Sequence, residues 1–146
     1  MRRVLVLLSC GVIGLLVGCA HHSATKSHTE KQVREKEARG AAEEWLALID
    51  AEKYSAAYAI ESARLRAATT EGQFVRSMQG RRQPFGSVVS RRFIGAAYTR
   101  KLTGAPDGHY ESILFRTSFA QKSVAAERVI LSREKDGWRV VDYRVY

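Results

Sequence analysis

The chain has 146 residues, a formal charge of +9 and two cysteines, Cys10 and Cys19. This length is sufficient for one small domain and a separate N-terminal segment. The sequence contains no catalytic triad, Cys–His pair, metal-ligand spacing or phosphate-binding loop pattern. We therefore expect no catalytic residue, no bound metal and no cofactor.

The N-terminus has the order of a secretory signal, with a cationic start, an apolar segment and small residues at a cleavage point. Arg2 and Arg3 precede an apolar stretch from Val4 to Val17. About 14 residues at about 1.5 Å each reach about 21 Å, which is shorter than the hydrocarbon core of a bilayer. We therefore predict that residues 1–18 are a removable signal peptide.

The end of this segment, Leu16-Val17-Gly18-Cys19, resembles the lipobox of bacterial lipoproteins. The resemblance implies cleavage between Gly18 and Cys19 and a lipid on the Cys19 thiol. Without Cys10, Cys19 is the sole cysteine of the mature chain, and acylation explains an unpaired thiol in an oxidising compartment. Ala20 occupies the position at which lipoproteins of double-membraned bacteria commonly carry a sorting residue. An Asp there would resemble an inner-membrane retention signal, so Ala20 favours the outer membrane. We therefore expect a lipid-anchored protein of the cell envelope, at the outer membrane and facing the periplasm.

Residues 19–31 have no apolar periodicity, which predicts a lipidated N-terminus and a flexible tether. Three histidines lie in this segment without Cys or carboxylate partners at ligand spacing, so we expect no metal there. From about Gln32, apolar residues recur every three to four positions, which predicts an amphipathic helix that buries Trp45.

Two further helices are expected before the pattern changes. One is predicted over about residues 55–68. Thr70 and Gln73 have the spacing of a capping box, which predicts the start of another helix that ends near Gly80 and Pro84.

After Pro84 the apolar period changes to two, which is typical of strands. Turn-forming residues at 102–108 and at Lys135-Asp136-Gly137 predict connections between them. The predicted strands cover residues 87–99, 110–119, 124–134 and 138–146. Three helices followed by four strands predict an α+β fold, with the helices on one face of a four-stranded antiparallel sheet. Residues 32–146 are expected to form this single domain.

A basic segment lies between Glu71 and Asp107, where the sequence has no acidic residue. Because export removes the chain from nucleic acid, we expect no nucleic-acid binding. Two interpretations stay open: an anionic envelope component as partner, or solvated cations with scattered ion pairs. The candidate anion-binding patch comprises Arg81, Arg82, Arg91, Arg92, Arg100 and Lys101.

A set of aromatic, glycine and charged residues carries a family resemblance. The set consists of Trp45, Tyr54, Phe74, Pro84-Phe85-Gly86, Arg91, Gly104–Tyr110, Phe119, Glu127 and Gly137–Val140. Over about residues 38–146 the chain resembles the bacterial family called domain of unknown function 4019. That family has no agreed activity, so the resemblance implies domain boundaries and export but no mechanism.

The element order is also similar to that of the nuclear transport factor 2 and ketosteroid isomerase superfamily, whose sheet is usually longer and more curved. With about four strands here, a shallower cystatin-like arrangement stays open. Enzymes of that superfamily use a carboxylate base and hydrogen-bond donors in an apolar pocket. In the last predicted strand Trp138, Val140 and Asp142 share one face. The candidate pocket therefore comprises Asp142, Tyr110 and Trp138, with Asp142 as the candidate base.

The leading hypothesis is a non-enzymatic envelope protein, held at the membrane by its lipid, whose domain binds an anionic envelope component or a protein partner. The first alternative is a pocket enzyme or small-molecule carrier. The second is a structural homodimer.

Overall fold

The helices precede the strands in the chain. A computed structural model describes the backbone of residues 20–146 and the side chains from residue 27 onward. Along this part of the chain four α-helices are followed by four β-strands in one antiparallel sheet. The α+β class and the four-stranded sheet are therefore confirmed. Gly18, Cys19 and the predicted signal peptide lie outside the described residues.

Helix α1 spans Ala20–Asp50. Its last turns bury one stripe of side chains, Ala38, Ala42, Trp45 and Ile49, at helical spacing. The side chains of residues 27–33 are exposed, yet the backbone there is already helical. This differs from the flexible tether predicted over residues 19–31. The Glu-, Lys- and Arg-rich turns have high helix propensity and pairing charges, so the helix extends beyond the part that packs.

The second predicted helix is two short helices, α2 over Tyr54–Ala59 and α3 over Ala63–Ala68. Ser62 separates them, because its Oγ caps α3 by accepting from the Leu65 amide at 3.1 Å. The Ser62 amide donates to the Val140 carbonyl in the last strand at 2.9 Å. Since this amide bonds to the sheet, it does not continue α2. The described chain therefore has four helices where the sequence predicts three.

Helix α4 spans Glu71–Arg82 and begins with the predicted capping box. The Thr70 amide donates to Gln73 Oε1 at 2.9 Å, and the Gln73 amide donates to Thr70 Oγ1 at 3.4 Å. A 3₁₀ turn over Gln83–Phe85 follows and ends at Gly86, whose φ is +74°. A Cβ at Gly86 would lie 3.2 Å from the Ala120 Cβ, so this turn needs glycine on both grounds.

The strands agree with the prediction within about two residues at each end. They are β1 over Val88–Thr99, β2 over Tyr110–Phe119, β3 over Lys122–Glu134 and β4 over Gly137–Val145. The strand order is β1-β2-β3-β4, and each neighbouring pair is antiparallel.

The helices cover one face of the sheet, which we call the inner face. Its core side chains are Ile113, Phe115, Val129, Leu131, Trp138, Val140 and Tyr143, and they pack in one cluster with Trp45 and Leu46 of α1. The opposite face is called the outer face. Because side chains alternate along a strand, neighbouring residues of each strand belong to different faces.

Candidate functional site

Two arginines of the predicted basic patch lie inside the domain. The Arg91 Nε donates to Glu127 Oε2 at 2.6 Å, and its terminal nitrogens donate to the Asp50 carboxylate at 2.5 and 3.1 Å. Arg82 donates to Asp50 Oδ1 at 3.0 Å and to the Gly86 carbonyl at 2.6 Å. Two cations and two anions thus form one connected network between the end of α1, the end of α4 and the sheet.

Glu127 is the most enclosed member of this network, with no exposed surface. It also accepts hydrogen bonds from the hydroxyl groups of Thr117 and Tyr143. Burial raises the pKa of Tyr143, and the nearby charge of Glu127 raises it further. Burial acts to lower the pKa of Arg91, but the hydrogen bonds and charges of Asp50 and Glu127 outweigh burial and raise it. The charges of the network are therefore matched within the domain.

The other members of the predicted patch lie in separate places. Arg81 is exposed at the end of α4, Arg92 is exposed in β1, and Arg100 and Lys101 are exposed in the turn after β1. Arg91 and Arg92 are neighbours in one strand and therefore belong to opposite faces of the sheet. The structure does not bring these six cations together on one surface, because a run of charge along a strand divides between its two faces.

The break between α2 and α3 places a carboxyl group inside the protein. Glu61 lies in this break and is 1% exposed. Within the described part of the chain, neither Glu61 carboxyl oxygen has a hydrogen-bond partner, and neither has the Trp45 Nε1. A buried polar group without a partner costs about 1–3 kcal/mol.

Glu61 and Trp45 both line a pocket of about 370 Å³ between α1, α3, α4 and β4. This volume is within the range of small-molecule sites. The apolar part of its lining consists of Leu65, Ala68, Phe74, Met78, Val140 and Val141. The Trp45 ring packs edge-on against Phe74 and Tyr143, with centroids 6.5 and 5.2 Å away, and these contacts fix the orientation of the indole.

Burial raises the pKa of Glu61 from its ordinary value of 4.5 to about 8. The Trp45 N–H acts in the opposite direction, as do the positive charges of Arg66 and Arg81. This N–H is near the carboxyl group but outside normal hydrogen-bond geometry. At neutral pH Glu61 is therefore mostly protonated, and it offers both an O–H donor and a carbonyl acceptor.

The predicted pocket of Asp142, Tyr110 and Trp138 does not form as one site. The pairing of β4 with β3 shifts between Val140 and Asp142, which leaves Val141 as an extra residue. Such a bulge reverses the alternation of side chains. Trp138 and Val140 are therefore buried on the inner face, and Asp142 is not on their side of the strand.

Asp142 is half-buried and accepts a hydrogen bond from Arg144 Nε at 3.0 Å. The Tyr110 hydroxyl donates to the Pro106 carbonyl at 2.8 Å. Asp142 and Tyr110 both line a second depression of about 490 Å³, whose lining does not include Trp138. Asp142 also lines the Glu61 pocket, but as a carboxylate with a cationic partner and not as a buried base.

Sequence reasoning missed Glu61. Its burial follows from the hydrogen bond between the Ser62 amide and β4, which is a contact between distant parts of the chain. No local pattern reports such a contact. The one available signal is Ser62 itself, whose position before Ala63 fits a helix N-cap and hence a break after α2.

Among the side chains that the structure describes, those of residues 27–146, no group of three or more His, Cys, Asp or Glu is arranged to hold a metal ion. None of the described helices is long and apolar enough to cross a bilayer.

The fold and the site define an α+β domain with a helical layer on one face of an antiparallel sheet and an apolar pocket beside that layer. The family model described as "Protein of unknown function (DUF4019)" matches residues 41–143. The chain belongs to this family, which confirms the resemblance found in the sequence. A search of the curated proteins and a search of the solved structures each gave no match.

Proposed function

We propose that the chain is a lipid-anchored protein of the bacterial envelope whose domain binds a small organic molecule without transforming it. The lipobox-like segment ending at Cys19 supports the anchor, and Ala20 supports the outer membrane. The helical layer on one face of the sheet supports a fold of the nuclear transport factor 2-like or cystatin-like type. The pocket at Glu61 supports the binding function.

The observation that carries this proposal is the pair of unsatisfied groups in one pocket. The Glu61 carboxyl group and the Trp45 N–H are both buried, and each lacks a hydrogen-bond partner in the described residues. Leaving both groups unpaired is unfavourable for the domain alone. A ligand that supplies an acceptor for Trp45 and a partner for Glu61 removes this penalty when it binds.

These two groups favour an uncharged carboxamide as the polar part of the ligand. A carboxamide oxygen accepts from the Trp45 N–H, while its N–H donates to the carbonyl oxygen of protonated Glu61. The positive charges of Arg66 and Arg81 act on Glu61 and disfavour a cationic ligand. Phe74 and Met78 line the same pocket and favour an apolar body attached to the amide.

A pocket enzyme is the second candidate, because a buried carboxyl group with a raised pKa is also typical of acid–base catalysis. The neighbouring polar groups favour binding instead. The Tyr143 hydroxyl donates to Glu127, and Asp142 pairs with Arg144, so both already have partners. The homodimer stays a prediction.

The test uses three probes of similar size, benzamide, benzylamine and benzoate, at pH 7. Saturation-transfer NMR on the purified full chain measures binding of each. We expect transfer to benzamide to exceed transfer to the other two probes, and to fall several-fold in Glu61→Leu. The Leu variant removes an unpaired buried polar group, so it should be at least as stable as the parent, and loss of transfer does not reflect unfolding.

The matched control is Glu43→Gln, since Glu43 is an exposed carboxylate of α1 paired with Arg39. It should leave benzamide transfer unchanged. Equal transfer to benzamide in the parent and in Glu61→Leu would contradict the proposal. A preference for benzylamine would contradict the assignment of the ligand class.

A further inference from the structure

The outer face of the sheet carries arginine side chains from all four strands, and Arg139 of β4, which lies opposite Ser132 on this face, is already paired with Asp136. In the register of the sheet Arg92 of β1 lies directly opposite Arg116 of β2, and Arg128 of β3 lies directly opposite Arg144 of β4. Arg128 is also opposite Leu114, two residues from Arg116 in β2. The four arginines therefore occupy two adjacent rows that cross the whole sheet.

Tyr146 extends the first of these rows. Ala126 is opposite Arg116, and the backbone groups of Ala126 and Tyr146 exchange two hydrogen bonds at 2.9 and 3.2 Å. The Arg128 guanidinium lies over the Tyr146 ring, 5.7 Å from its centroid. Tyr146 is nevertheless 53% exposed, so Arg128 does not enclose it.

The domain balances little of this charge itself. Arg144 pairs with Asp142 at 3.0 Å, whereas Arg92, Arg116 and Arg128 form no ion pair with any described residue. Like charges directly opposite each other in a sheet are destabilising. The stability of the fold therefore does not explain why Arg92 faces Arg116 and Arg128 faces Arg144. The arginines of the inner face, by contrast, all pair with carboxylates.

We infer that the outer face, defined here as Arg92, Arg116, Arg128, Arg144 and Tyr146, is a docking surface for an anionic lipid bilayer. With strands about 4.8 Å apart, four arginines span about 14 Å. This is an extended array that matches many headgroups better than one small anion. Arginine side chains are attracted to an anionic bilayer surface, and tyrosine favours the interface between headgroups and water.

An apolar contribution lies on the same strand as Arg128. Val124 is 70% exposed and lies two residues before Ala126, on the same side of β3. Exposed apolar and cationic side chains on one face are typical of surfaces that rest at a bilayer interface. The inference does not require the lipid on Cys19, although an anchor would keep this face close to a bilayer.

The test is arginine footprinting of the full chain with phenylglyoxal, followed by peptide mass spectrometry. The chain is mixed with one of two kinds of vesicle. One contains phosphatidylcholine alone, and the other contains phosphatidylcholine together with anionic phosphatidylglycerol. We expect modification of Arg92, Arg116 and Arg144 to fall several-fold in the anionic vesicles, and high salt to restore it. Exposed Arg76 of α4 and Arg100 after β1 are internal controls that should react equally in both vesicles.

Two double variants that lose the same charge distinguish binding through the outer face from non-specific attraction of a basic protein to anionic vesicles. Arg92→Gln with Arg116→Gln should reduce the vesicle-dependent protection of Arg144, and Arg76→Gln with Arg100→Gln should preserve it. Equal protection of Arg76, Arg100 and the outer-face arginines would overturn the inference, as would no protection at all. Protection by soluble polyphosphate but not by anionic vesicles would also overturn it, and would indicate a polymer as the occupant.

Discussion

Arg91 of β1 and Glu127 of β3 form an ion pair of 2.6 Å across the intervening strand β2. Their side chains meet on the inner face, where Glu127 has no exposed surface. Asp50 at the end of α1 binds the same guanidinium group, so this contact joins the helical layer to the sheet. A buried charge of this kind is tolerated only while its partners stay in place.

The first prediction concerns this pair. Glu127→Leu leaves the buried Arg91 with one of its two carboxylates and leaves the Thr117 and Tyr143 hydroxyl groups without their acceptor. Removing one partner of a buried pair costs about 3–5 kcal/mol, so we expect a loss of this size in the free energy of unfolding. Urea unfolding followed by tryptophan fluorescence measures it.

The control is Glu43→Leu, which breaks the exposed pair between Glu43 and Arg39. An exposed pair contributes about 0–1 kcal/mol, so this variant should remain close to the parent. If both variants lost the same stability, the network would not hold the layers together as described.

The division of the chain into helical segments and strands was predictable, because it depends on the local periodicity of apolar residues. In Tyr110–Phe119 the side chains of Ile113, Phe115, Thr117 and Phe119 recur at every second position, and the structure gives β2 with the same bounds. The capping box at Thr70 and Gln73 was predictable for the same reason, since its atoms lie within one turn. By contrast, the break at Ser62 depends on Val140, which is far away in the sequence.

The site was less predictable than the fold, because one extra residue in a strand changes the face of the sheet on which the following side chains lie. The bulge at Val141 reverses the alternation in β4, and Asp142 therefore leaves the face of Trp138 and Val140. Arg91 and Arg92 appear equivalent in a charge count, yet one is paired inside the domain and the other is exposed. Neither distinction follows from composition.

The second prediction concerns the start of α4. Thr70→Ala removes the hydroxyl group that accepts from the Gln73 amide and breaks the capping box. We expect a loss of about 1 kcal/mol in the free energy of unfolding. Thr103→Ala in the exposed turn after β1 is the matched control and should change stability by less than about 0.5 kcal/mol. A similar effect of the two substitutions in urea unfolding would show that the cap is not important.

The third prediction concerns the proposed anchor. Cys19→Ala removes the thiol that the lipobox-like segment would present for acylation, so we expect an unprocessed precursor that takes up no labelled fatty acid. Cys10→Ser is the control, because it changes the other cysteine and should leave labelling intact. Metabolic labelling followed by gel electrophoresis and mass measurement of the N-terminus distinguishes the two. Persistent labelling of Cys19→Ala would show that the lipid is attached elsewhere.

The fourth prediction is a pH dependence of stability that originates at Glu61. Its pKa is about 8 in the folded domain and has an ordinary value of 4.5. Between these pH values the folded chain retains a proton that the unfolded chain has released. The free energy of unfolding should therefore fall as pH rises from about 5 to 8, by at most about 1.4 kcal/mol per pH unit, and level off above the folded pKa.

Glu61→Gln keeps the shape of the protonated carboxyl group but has no proton to lose. The variant should lack this fall, so its stability relative to the parent should increase steadily between pH 5 and 8. Taking the difference between the two chains cancels the contributions that other groups make equally to both. Glu43→Gln, with an exposed carboxylate, should follow the parent throughout. Urea unfolding at intervals of pH measures the three curves, and parallel curves for the parent and Glu61→Gln would mean that Glu61 is ionised in the folded domain at neutral pH.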